Sequence, residues 1–246
     1  MDLFDTSTFL LLVILGAYVQ TITGFAMGLL IVGGVTILNI APIAFTAAVV
    51  SILSLLNAIL VLRHSIKFIN WKTVAYISAG MMPSLIVGVF LLALLSESEY
   101  IWLRRLLGVV IISAGILLTL KPEPWEKTSS KIAAALTGIA GGLIGGLFST
   151  GGAPIAFFMY RQPIELNYIR ATLLAIFAIT TFSRTVIIAL DGELTSDILM
   201  TSAIAIPLVM ITTYFARKIS PPSADATIRK SVFILLILIG ASLIVG

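Results

Sequence analysis

Cysteine is absent from this 246-residue chain, and histidine occurs once, as His64. Those absences remove disulfide frameworks, thiol chemistry and any multi-histidine metal centre. Charge is also scarce: Asp, Glu, Lys and Arg make up 11% of the residues, against about 25% in ordinary soluble domains. The eleven acidic residues are Asp2, Asp5, Glu97, Glu99, Glu123, Glu126, Glu165, Asp191, Glu193, Asp197 and Asp225, all in the N-terminal tail or between apolar runs. No carboxylate is therefore expected at mid-membrane. That excludes a cation carrier with acidic ligands and a proton relay through a buried Asp or Glu. It also leaves an intramembrane hydrolase without paired carboxylates or a Ser/His set. We expect no enzyme, no metal and no cofactor.

What is present is apolar, at 59% hydrophobic residues and a mean hydropathy of +1.16. The chain reads as an all-α polytopic membrane protein whose obligatory partner is the lipid bilayer. Its net charge of +4 comes from basic residues between apolar runs, the pattern of cytoplasmic loops rather than of nucleic-acid binding. His64, beside Arg63 and Lys67, reads as a solvated loop residue. The opening MDLFDTSTFL has no basic residue, so it lacks the n-region of a cleavable signal and the first segment is expected to be retained.

Runs of spanning length, about 20 residues each, fall at roughly 8–38, 42–62, 73–95, 101–120, 132–160, 166–190, 195–216 and 228–245. The longest polar connection, KPEPWEKTSSK at 121–131, divides the chain into residues 1–120 and 132–246. The two parts share landmarks. Gly24 with Gly145 and Pro42 with Pro163 are 121 apart, Pro83 with Pro207 is 124, and Arg104-Arg105 with Arg229-Lys230 and Gly115 with Gly240 are 125, as if a few residues were inserted near Asp191. Such recurrence implies two homologous four-segment repeats, as in transporter folds.

Segments one and five are each about 30 residues, or about 45 Å if helical against a hydrocarbon core of about 30 Å. Both are glycine-rich. In the second, Gly138, Gly141, Gly142, Gly145, Gly146, Gly151, Gly152 and Pro154 weaken a continuous helix, and broken backbone at membrane depth must pack in protein or line a wet cavity. Arg63, Lys67 and Lys72 mark one loop as cytoplasmic, and Arg217, Lys218, Arg229 and Lys230 mark another. Eight plain crossings cannot put both loops on one side. If segment five re-enters, the conflict disappears, and by the repeat segment one does the same from the opposite face. The repeats are then inverted, with both termini outside; eight plain crossings with one atypical loop is the alternative.

Arg184 is the one clear charge inside an apolar run, and Arg170 begins the same helix. Fourteen steps of about 100° return to within about 40° of one face, with about 21 Å between the two. Either Arg184 snorkels toward Asp191, or it faces water or a solute. Arg170 and Arg161 are also near enough to the surface to be positive-inside flanks. The remaining deep polar groups are Gln20, Thr21 and Thr23, then Asn57, and later Ser149, Thr150, Thr180, Thr181 and Ser183. Helical hydroxyls often bond only to their own i−4 carbonyl. Ser149 and Thr150 differ, because they precede Gly151 and Gly152 where the backbone should break and a half-helix would offer unpaired N–H groups. Half-helix ends, hydroxyls, an intramembrane Arg and no acid together favour an anionic solute.

At these residues the chain resembles the sulfite exporter TauE/SafE family of permeases. GIAGGLIGGLFSTGGAPIAFFMY and NYIRATLLAIF are similar to the family's glycine-rich stretch and the Arg-Ala-Thr-Leu run after it, and YVQTITGFAMGLLIVG resembles its variant first motif. The resemblance implies two homologous halves, a cytoplasmic-membrane location and movement of sulfite, thiosulfate or sulfonates. Carried over by position, it points to Thr23, Gly24, Phe25, Gly151, Gly152, Pro154 and Arg170. The residues themselves add Ser149, Thr150 and Arg184, with Gln20, Asn57 and Thr181 behind them. The expected function is a secondary carrier of a small anion; a passive anion channel and a non-transporting membrane scaffold share most of these features.

Overall fold

The computed structural model describes residues 2–98, 100–119, 124–219 and 224–245, all helix and short connections. Glu99 and the linker residues Lys121 and Glu123 lie outside the described residues, as do the side chains of Glu97, Asp225, Arg229 and Lys230. The helices are α1 (Leu3–Thr23), α2 (Met27–Ile37), α3 (Ile43–Leu62), α4 (Trp71–Ser98), α5 (Tyr100–Thr119), α6 (Lys131–Phe148), α7 (Gly152–Tyr160), α8 (Leu166–Leu190), α9 (Ser196–Ile219) and α10 (Ala224–Val245). Among the described residues seven of them are long and apolar enough to cross a membrane. Leu94, Ile101, Trp102, Leu136, Phe182 and Tyr214 are among many large exposed apolar side chains, the lipid-facing surface of a polytopic protein.

Segments one and five are broken hairpins. α1 ends on Gly24, whose φ of 85° is open to glycine, with its N–H on Gln20 O. α2 then runs back beside α1, so that Gly16 faces Ile31 and Gly34 faces the Leu12 methyls. It returns to the end where α1 began: Thr6 and Leu10 share a cavity wall with Ile40 and Pro42. α6 ends on Ser149 in the same left-handed region (φ 55°), and α7 folds back so that Gly141 faces Ile155. At its base Trp125 N–H donates to Arg161 O at 2.8 Å and Gln162 bonds Ser129. Gly24 and Ser149 thus hold the same place, 125 residues apart, and Gly145 lies inside α6.

The glycine cluster of α6 does not unravel it. Gly138, Gly142 and Gly146, four apart, lie against the α4 backbone at Ile77, Met81 and Leu85, while Gly80 and Gly88 of α4 lie against Ala135 and Leu143. A Cβ at any of these sites would overlap backbone, so the small residues permit the close approach usual between membrane helices. Packing thus outweighs the propensity cost, and the break falls only at Ser149–Gly151. Pro154 sits in the first turn of α7, where no N–H is needed.

Partners exchange in a regular way: α4 packs on α6 and α9 on α1, α10 packs on α2 and α7 on α5, and α3 crosses α8 at the centre. One face carries the loops with Arg63, Lys67, Lys72, Arg161, Arg217 and Lys218; the other carries Asp2, Asp5, Asp191, Glu193 and Asp197, with Arg104 and Arg105 in the second turn of α5. His64 is exposed on the basic face, as expected.

Candidate functional site

The two hairpin tips meet. Gly28, in the first turn of α2, lies against Ser149 O and the Thr150 methyl, and Gly152, opening α7, lies between Phe177 and Phe25. Around this crossing is a cavity of about 30 Å³, room for one or two water molecules. It is lined by Gln20, Phe25, Ala26, Gly28 and Leu29 from the first hairpin and Ser149, Thr150, Gly151 and Gly152 from the second, with Ser54, Phe177, Thr180, Thr181 and Arg184. Among the described residues, no acidic one is in this lining.

The groups facing it suit an anion. α2 and α7 both start at the cavity, and neither has a side-chain cap, so no capping side chain takes the first N–H groups at these positive dipole ends. Thr150 is 4% exposed and its Oγ1 has no hydrogen-bond partner, a costly arrangement unless something else binds there. Thr180 and Thr181 donate to Ile176 O and Phe177 O, the ordinary i−4 pattern. Gln20 and Ser54 are bonded to each other.

Arg184 is 1% exposed and does not snorkel. Its Nε donates to Gly146 O at 3.0 Å, and its Nη1 to Ala47 O at 3.0 Å and Ser51 Oγ at 2.9 Å. Ser51 Oγ also lies 2.9 Å from Ser149 Oγ. Among the described residues, this buried guanidinium has no carboxylate partner and is held by neutral acceptors of α3 and α6, at the edge of the cavity.

The sulfite exporter TauE/SafE family profile matches residues 9–243. A protein of Cupriavidus necator named "Probable sulfite/organosulfonate exporter TauE" is 40% identical over 228 residues, covering 93% of this chain and 89% of that one. The chain belongs to the TauE/SafE family. As a member it is a multi-pass membrane protein of a transporter family. No solved structure matches it.

Against this TauE/SafE fold, the sequence-based candidates separate. Phe25, Ser149, Thr150, Gly151, Gly152 and Arg184 come together at the cavity, with Gln20 and Thr181. Thr23, Gly24, Pro154, Arg170 and Asn57 are not in its lining. Thr23 Oγ1 bonds Val19 O and Phe25 O and shapes the first tip. Gly24 lies against the Arg170 backbone, which puts Arg170 beside that tip rather than at the cavity. Asn57 Nδ2 ties α3 to Thr21 and Thr213. Ser51 and Ser54 escaped notice, although with Asn57 they recur every third residue on α3, a polar stripe in an otherwise apolar helix.

Proposed function

We propose that the protein is a secondary carrier of a small sulfur-containing anion, sulfite or an organosulfonate, working by alternating access across the cytoplasmic membrane. One observation carries the site assignment: Thr150, whose buried Oγ1 has no hydrogen-bond partner, lines the cavity beside the uncapped N-terminus of α7 and within the same lining as Arg184. Hydrogen-bond donors and positive ends without a carboxylate suit an oxyanion. Phe25, Ser149, Thr150, Gly151, Gly152 and Arg184 bind, Gln20 and Thr181 complete the wall, and Thr23, Gly24, Pro154, Arg170 and Asn57 shape or support the tips. The substrate class follows the name of the Cupriavidus necator relative.

The regular exchange of helix partners supports a division into two inverted repeats, 1–120 and 132–246, joined by 121–131. Positive-inside placement makes the basic face cytoplasmic. The protein acts without catalysis and without a cofactor. The small volume of the central cavity, about 30 Å³, favours a carrier over an open anion channel. Purified protein in liposomes is expected to carry sulfite and to accelerate exchange of labelled sulfite under counterflow. Flux no greater than in empty liposomes overturns the transport reading, and flux without counterflow makes the protein a channel.

A further inference from the structure

A second cavity, of about 290 Å³, opens on the acidic face between α3, α4, α8 and α9. Its walls are mostly apolar, including Phe45, Ala48, Leu92 and Ile188, and Asp191 and Glu193 also line it. Among the described residues, Arg184 alone lines both this vestibule and the central cavity. We propose that Arg184 is the gate between them and that the vestibule is the solute's exit, a role resting on the transport reading only for which solute passes.

The guanidinium stands between the two cavities and ties α6 to α3, because Nε holds Gly146 O on α6 while Nη1 holds Ala47 O and Ser51 Oγ on α3. Through Ser51 the same lock reaches Ser149, the hairpin-tip residue held at φ 55°. These bonds use three of the five guanidinium N–H donors and leave the two on Nη2. All three acceptors are neutral. An oxyanion arriving in the central cavity is a stronger, charged acceptor, and when the guanidinium turns to it the bridge between α3 and α6 is released. The solute thereby unlocks its own way out. Among the described residues, the vestibule lining beyond the neck adds no second cation and holds two carboxylates, so the anion is held weakly and leaves.

The cysteine-free chain makes the test direct, since one introduced thiol is the sole thiol. Ser54→Cys places it in the central cavity and Ala48→Cys in the vestibule. A membrane-impermeant thiol reagent applied from the acidic face is expected to label Ala48→Cys readily and Ser54→Cys slowly. Adding Arg184→Gln should speed labelling of Ser54→Cys at least tenfold. Ser51→Ala, which removes one bond of the bridge and keeps the arginine, should speed it by a smaller factor, so a folding failure of the arginine variant leaves the gate testable. Unchanged Ser54→Cys labelling in both backgrounds, or an unlabelled Ala48→Cys, overturns the gate. Labelling needs no flux, so a correct gate with no sulfite transport would remove the substrate reading and leave the gate standing.

Discussion

The two hairpins share a shape and differ in chemistry. At the first tip, Thr23 satisfies its hydroxyl on its own backbone, Gly24 turns the chain, and Phe25 seals, stacked 6.3 Å from Phe233. At the second, Ser149 reaches across to Ser51, the Thr150 hydroxyl has no partner, and Gly151 and Gly152 leave the start of α7 without a side-chain cap. One tip closes on itself, and the other keeps its polar groups for something else. Each hairpin also docks differently. α6 meets α4 backbone to backbone through glycines, whereas beyond the tip glycine Gly28 the glycines of α2 face side-chain ends, Gly33 those of Ile111 and Ile239 and Gly34 the Leu12 methyls. A common architecture therefore does not imply equal shares of the binding work.

The contrast can be broken by paired substitutions. The largest effect is expected at the docking glycines: Gly142→Ala drives a methyl into the Met81 backbone and Ser84, costing about 1–3 kcal/mol. Gly34→Ala meets only flexible Leu12 methyls at 3.0 Å, and the helix-propensity gain of about 1 kcal/mol offsets the crowding. Thermal unfolding in detergent separates the two, and equal losses would sink the distinction. Next come the tip hydroxyls. Thr150→Val should weaken sulfite binding about 10- to 100-fold, the value of one hydrogen bond to a charged group, read by ligand-dependent thermal shift. Thr23→Val should leave affinity alone and lower stability by about 1 kcal/mol. The smallest effect concerns the left-handed residues: Ala26→Gly relieves strain at φ 82° and should raise stability by about 0.5 kcal/mol. Ser149→Gly should lower it instead, because the bond to Ser51 goes with the hydroxyl.

Much of the fold was legible. Eight apolar runs, two of them too long and too rich in glycine, mark every helix within a few residues and both breaks. What glycine content alone does not carry is which glycines break and which pack: Gly142 and Gly151 look alike until α4 is in place. The same holds for Arg184. Helical spacing puts it near one face with Arg170, but depth decides that Arg184 reaches the cavity while Arg170 lies beside the first tip. Ser51 was invisible for a different reason. It makes the ordinary i−4 bond to Ala47 O, and only its additional contacts to Arg184 and Ser149, distant in sequence, set it apart.

The exchange of partners between α4–α6 and α1–α9 also sets a timetable. Chains emerge N-terminus first, so α4 is already in the membrane when α6 is made, and the glycine face of the second hairpin finds its support at once. The first hairpin must wait for α9, about 200 residues later, or about 10 to 40 s at ordinary synthesis rates. For that interval its tip is assembled without its outer neighbour, and the self-contained bonding of Thr23 holds the turn together while the rest of the protein is still being built.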